Sequence, residues 1–261
     1  MKKLFLASIT AAALLTVGSA NAADLAMKPT YGPPPAVAPV LVYNWTGFYI
    51  GAGGGYGLFD VENKGLAPDG DVLSSNQTAG GRGWFGTVVG GYDYQFANPL
   101  FSNPIVAGVF VDADFSDIHG RLSDVDEEAN APLKQNRAWA IGGRVGLLVV
   151  PSVLSYFTVG FSQAHFTGGV FLGVNGAPFG PSLGSATFNG WFLGSGIETM
   201  LFGGFSIKTE YRLAEYNTGD IPVYSGDVNR ERSRPFVQTI RTELIYRFNW
   251  GKGKAPVVAS Y

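Results

Sequence analysis

The chain contains no cysteine, two histidines and few charges for its 261 residues. Without cysteine there is no disulfide scaffold, no thiolate-ligated zinc or iron–sulfur centre and no thiol nucleophile. His119 and His165 stand far apart, and no H-E-x-x-H pair is present, so zinc hydrolysis lacks its ligand set. Lys, Arg, Asp and Glu make up 15% of the chain, against about 25% in an ordinary soluble domain. The formal net charge of −2 leaves no basic footprint for nucleic acid. Also missing after Trp45 is any long apolar segment of helical period. What is abundant is glycine, 37 residues, about twice its usual share of about 7%, together with 14% aromatic residues. The glycines have no period of three, and 46% apolar residues exclude general disorder.

The N-terminus reads as a secretory signal. Lys2 and Lys3 precede an apolar stretch at 4–17, and Ala20-Asn21-Ala22 forms a small-x-small cleavage box, so residues 1–22 are expected to be removed. As helix the apolar stretch would span about 21 Å, too short for a hydrocarbon core of about 30 Å. Residues 23–44 carry Pro29, Pro33, Pro34, Pro35 and Pro39 and read as an extended periplasmic leader. Residues 45–250 form the expected folded domain, followed by a tail at 251–261.

Across that domain the sequence alternates with a period of two in eight segments, at 46–57, 84–96, 105–116, 138–149, 154–166, 188–199, 205–214 and 237–248. Short connectors at 97–104, 150–153 and 200–204 alternate with long ones at 58–83, 117–137, 168–187 and 215–236. One face of each segment is aliphatic or aromatic, as in Trp139, Ile141, Val145 and Leu147. The other carries the charges.

Water does not select such a pattern. In hydrocarbon every backbone polar group must be paired, so a sheet survives only by closing, and tilted strands of about 9–11 residues cross the apolar layer. The fold class expected is therefore all-β, an eight-stranded antiparallel up-and-down transmembrane β-barrel. Its interior would hold Asp93, Asp112, Asp114, Glu198, Glu210 and Glu243 against Arg144, Lys208, Arg212, Arg241 and Arg247. Near-balance matters, because a narrow interior does not tolerate unpaired charge cheaply. An eight-stranded ring is just wide enough for side chains to fill, so a salt-bridged plug is expected rather than a wide pore. Tyr49, Tyr92, Tyr94, Trp84, Trp139, Trp191, Tyr211, Tyr246 and Trp250 are candidates for interface girdles.

Other constellations are weaker. Asp112 and Asp114 share a strand face and read as salt-bridge partners rather than as an acid–base pair. The acidic run at 124–128 lacks the fixed spacing of a calcium loop. Gly51 to Gly55 lacks the final glycine and following helix of a dinucleotide loop. Arg230-Glu231-Arg232-Ser233-Arg234 is a basic cluster that reads as a polar loop base, with lipopolysaccharide phosphates as the alternative partner. No metal or cofactor is expected.

The residues also bear a family likeness. Ala23-Asp24-Leu25 after the cleavage box, the proline-rich leader, and Trp45-Thr46-Gly47-Phe48-Tyr49-Ile50-Gly51 resemble the small outer-membrane immunogenic proteins of alphaproteobacteria. So do Ser206-Ile207-Lys208-Thr209-Glu210-Tyr211 and Tyr246-Arg247-Phe248. These proteins are related in fold to OmpA-type and opacity-type barrels and often carry a porin-family or surface-antigen label. The resemblance implies an outer-membrane location, both barrel ends in the periplasm, long loops outside and a role in envelope integrity and loop display. It also implies a terminal aromatic signal for the barrel-assembly machinery, here Tyr246 and Phe248, although a tail follows them. Implied partners are outer-membrane lipid and lipopolysaccharide, periplasmic chaperones, and peptidoglycan or host surface molecules. A small-solute channel and a loop-based haem or host-surface binding module are the alternatives; no residue motif for haem carries over.

Overall fold

The computed structural model describes residues 43–72, 77–97, 103–124, 129–173, 176–224 and 230–248. The signal and nearly all of the leader, residues 125–128 of the acidic run, Trp250 and the tail lie outside the described residues.

Each period-two segment forms a strand, and the strands close into a ring. In chain order the strands are β1 (Gly47–Leu66), β2 (Gln77–Phe96), β3 (Ile105–Asp124), β4 (Ala129–Val150), β5 (Val153–Gly168), β6 (Val170–Leu172), β7 (Pro178–Leu183), β8 (Ser185–Met200), β9 (Phe205–Tyr216), β10 (Gly219–Tyr224) and β11 (Arg230–Phe248). Eight of them, β1-β2-β3-β4-β5-β8-β9-β11, pair antiparallel in sequence, and β11 returns to β1 from Phe48↔Phe248 to Leu66↔Arg230. Closure leaves no edge in that ring, as hydrocarbon requires.

At one end two of the hairpins, β4–β5 and β8–β9, are tight. Pro151 and Ser152 alone separate β4 from β5. Between β8 and β9, Gly203 and Gly204 take φ of +58° and +86°, a left-handed conformation open to glycine at little cost.

The other end extends further than the alternation in the sequence indicates. β1 runs to Leu66, β4 starts at Ala129 and β11 at Arg230, so much of the expected long connectors is strand. β5, β8 and β9 stop earlier, and the three short strands take over their part of the wall. There β6 pairs with β4 and β7, β10 pairs with β7, and β10 pairs with β11. The rim is thus a second eight-membered ring, β1-β2-β3-β4-β6-β7-β10-β11.

The reason the sequence hides this extension is an exchange of faces. Along the outside of β3, Val109, Val111 and Phe115 give way to Asp117, His119 and Arg121, while inside Asp112 and Asp114 give way to Ile118. β1 does the same, with Phe48 and Ile50 followed on the outside by Asp60, Glu62 and Lys64, and with Phe59 and Val61 turned inward. A wall that is apolar outside lies in lipid; a wall that is polar outside and apolar inside lies in water. His119 accordingly lies on a strand rather than in a loop.

Two aromatic belts mark the boundaries. Tyr56 packs on Trp84 at 5.0 Å and Trp139 on Phe161 at 5.5 Å near the exchange of faces, where Trp84 is 71% exposed. Phe48–Tyr92, Tyr94–Phe96 and Phe205–Tyr246–Phe248 form the belt at the tight-turn end. From Trp84 to Tyr94 the strand rises about 33 Å, and a tilt of about 40° reduces this to an apolar band of about 25 Å. Tyr49 does not join either belt. It shares the inward phase with Gly51 and is buried, 2% exposed.

Candidate functional site

The interior of the ring is filled in layers. Nearest the tight turns, Trp45 folds into the mouth before β1 begins. Its indole Nε1 donates to the Pro151 carbonyl at 3.1 Å, and its backbone N–H donates to Gln95 Oε1 at 3.1 Å. Tyr43, Val106, Leu148, Leu154, Tyr156 and Met200 complete an apolar cap around it.

Above the cap lies a four-membered cycle of charge. Asp93 comes from β2, Arg144 from β4, Glu198 from β8 and Arg247 from β11, so every second strand of the ring contributes one member. Arg144 Nε donates to Asp93 Oδ1 at 2.8 Å and its Nη1 to Glu198 Oε2 at 2.8 Å. A further Arg144 bond reaches Asp93 Oδ2 through Nη2. Arg247 closes the cycle on Asp93 at 2.6 Å and Glu198 at 3.1 Å, while Ser206 Oγ donates to Glu198 at 2.6 Å. Two cations and two carboxylates leave the cycle neutral. Arg247 also donates to the Trp45 carbonyl at 2.8 Å, tying the cycle to the cap.

The next layers reach across the bore. Arg212 of β9 grips Asp112 of β3, on the opposite wall, through two bonds of 2.8 and 3.2 Å. Its Nε donates to Glu210 at 2.8 Å, and Tyr156 OH donates to the same carboxylate at 3.2 Å. Arg241 takes Asp114 in the same forked way at 3.0 and 3.2 Å, and Lys208 stands 2.5 Å from Glu243. Such forks match the guanidinium to both carboxylate oxygens. The guanidinium faces are also used: Arg212 lies 4.3 Å from the Phe192 ring, Arg144 4.7 Å from Tyr49, and Arg241 5.1 Å from Phe85.

Glycine makes room for these rings at two places. A Cβ at Gly91 would lie 2.5 Å from the Tyr49 hydroxyl, and one at Gly196 2.5 Å from that of Tyr156. The inward wall is smooth there because a large side chain lies flat across it.

The uppermost layer was not legible from the charges. Phe59 of β1 meets Phe166 of β5 edge-on at 5.6 Å, and Phe166 meets Phe188 of β8 at 5.7 Å. β1 and β5 are opposite members of the ring, so these rings partition the bore. Val61, Ile118, Leu133, Phe171, Leu183, Ile221 and Val223 pack around them. The signal in the sequence is the alternation of Phe59 and Val61 with Asp60 and Glu62, in the same phase as the rest of β1.

All eleven charged residues singled out from the sequence are thus buried within the ring. Asp112 and Asp114 each face an arginine, so that carboxylate pair is engaged in ion pairs. The basic cluster of β11 is spent on local pairs: Arg230 and Arg232 share Asp220 at 3.7 and 3.0 Å, and Arg234 pairs with Glu215. Tyr246 and Phe248 point outward in the belt at the tight-turn end, 5.0 Å apart. His165 lies on the outer wall, with Nδ1 2.9 Å from Thr187 Oγ1.

A closed ring with an apolar outer band and a polar, filled interior defines a transmembrane β-barrel. The chain belongs to the family described as outer membrane protein beta-barrel domain, whose model matches residues 10–252. It is 28% identical over 262 residues to the 31 kDa outer-membrane immunogenic protein of Brucella melitensis, covering 95% of this chain and 100% of that one. It is 26% identical over 189 residues to the 22 kDa outer membrane protein of Rhizobium leguminosarum, covering 72% of each. Among solved structures, the outer membrane protein OprG of Pseudomonas aeruginosa aligns with 78% of this chain and 98% of its own, at 12% identity and a TM-score of 0.47. The protein is an outer-membrane β-barrel.

Proposed function

We propose that the protein is a non-catalytic, non-conducting barrel that contributes to envelope integrity and displays its extended rim at the cell surface. The observation that carries this reading is the wall-to-wall filling of the bore. Arg212–Asp112 and Phe59–Phe166 each join opposite strands of the ring, with the Asp93–Arg144–Glu198–Arg247 cycle and the Trp45 cap below. No part of that stack is a single gate. The rim with its polar outer face is the surface side, and the tight turns, with both Gly47 and Phe248 at their level, face the periplasm. In this reading Tyr246 and Phe248 present the outward aromatic signal to the assembly machinery, and lipid and lipopolysaccharide are the surrounding partners.

Planar bilayer recording tests the proposal. Purified protein is expected to leave the bilayer at its baseline current. Stable nanosiemens-scale steps that scale with salt would overturn the filled-bore reading and favour a small-solute channel.

A further inference from the structure

Charge on the outer wall of the rim is distributed unevenly. On the β11 side the arginines are matched by Asp220 and Glu215. On the β2–β4 side, Arg82, Arg121 and Arg137 point outward with no ion-pair partner among the described residues. Lys134 and His119 share Asp117, at 2.5 and 2.9 Å, and the Lys134 ammonium and His119 together hold the Asp117 carboxyl below its usual range. The ladder sets Arg82, His119 and Lys134 in one row across three adjacent strands, with Arg121 opposite Gly80 one step higher. Among the described residues, Arg82, Arg121, Arg137 and Lys134 are four permanent cations on β2–β4, against Asp117 on the same strands and Asp60 and Glu62 on the adjoining β1.

Two of those cations, Arg82 and Arg121, border a concavity, and Lys134 and Arg137 stand beyond it on β4. Gly80 takes an outward position and leaves it without a side chain, and Gly81 and Gly120 lie on either side of the ladder. The result is a groove of about 620 Å³ open to the outside, with Arg82, His119 and Arg121 along it, the Asp60 carboxylate beside Gly80 as the one acid in its lining, and Leu58 at its lower margin. Directly below, Trp84 and Phe115 open the apolar band. A group bound in the groove would sit at headgroup height, with hydrocarbon running down the wall beneath it.

We propose that this groove binds the phosphate of a phosphorylated glycolipid of the outer leaflet, a lipid A type of headgroup. Phosphate is the anion whose oxygens fit several guanidinium forks at once. The nearby hydrocarbon lowers the local dielectric and strengthens each contact. The acyl chains of the same molecule cover Trp84, Phe115 and Val111. The inference rests on the rim facing outward. A tag inserted in the turn at residues 67–71 and probed on intact cells tests that orientation alone, and binding in micelles does not depend on it.

The full chain is refolded in detergent and titrated with diphosphoryl lipid A and, in parallel, with dephosphorylated lipid A, with bound lipid counted by native mass spectrometry. The diphosphoryl form is expected to bind more tightly. Replacing Arg82, Arg121 and Arg137 together by Gln is expected to weaken it by about tenfold or more. The matched triple replacement of Arg230, Arg232 and Arg234 removes the same charge from the other side of the rim and is expected to change binding by less than about twofold. Equal losses in the two triples would show diffuse attraction and overturn the site, as would no loss in the first. Heat-modifiable gel mobility reports folding. Should the first triple not fold, the three single Gln variants, each expected to weaken binding about threefold, decide the same question.

Discussion

Arg144 shows what a buried charge does in this molecule. It holds Asp93 and Glu198 at once, so Arg144→Met leaves two carboxylates sharing one cation, Arg247, in a buried site. Loss of one partner of a buried pair costs about 3–5 kcal/mol, and urea unfolding in lipid vesicles is expected to show a loss of that size. Removing both members of a pair behaves differently: Lys208→Met with Glu243→Met is expected to be neutral or mildly stabilising, because both desolvation costs disappear together. A double variant as damaging as Arg144→Met would refute this contrast. The inward set was legible because each charge falls on the phase opposite the aliphatic residues. The partners were not, since Arg212 and Asp112 lie 100 residues apart and Arg241 and Asp114 lie 127 apart. Tyr49 shows the limit of reasoning by residue type. As a tyrosine it suited a girdle, yet its phase on β1 turns it inward, and phase decides.

At the scale of a strand, polarity changes along the length while the period stays two. Val88 lies near the middle of the apolar band, and Asp60 lies above it on the neighbouring strand. Val88→Arg is expected to cost about 2–4 kcal/mol, whereas Asp60→Arg is expected to cost about 0–1 kcal/mol. Equal penalties, measured by the same unfolding assay, would place the lipid boundary elsewhere. The membrane-crossing halves of the strands were readable because apolar residues recur on one face. Their outer halves read as loops because Asp60, Glu62 and Lys64 look hydrophilic when counted, and only their alternation with Phe59 and Val61 reveals a strand. The short strands β6, β7 and β10 are held by partners on β4 and β11, which no local pattern encodes.

Taken whole, the barrel is stoppered at several heights by unlike chemistry. Replacing Phe59 and Phe166 together by Ala removes the aromatic partition, yet the bilayer current is expected to remain at baseline because the guanidinium layers below still cross the bore. Conductance in that variant alone would mean that the charged layers are permeable and that the rings are the seal.

The relay of the wall from β5, β8 and β9 to β6, β7 and β10 has an evolutionary consequence. The two tiers meet there through a few backbone bonds, such as Gly168 to Gly184 and Gly184 to Pro222. Residues added or lost at the junction are absorbed by the upper tier and impose no register slip on the strands below, where a slip of one would turn every arginine toward lipid. Variation of the rim and a fixed membrane body are therefore compatible within one chain, with the joint between tiers as the place where length can drift.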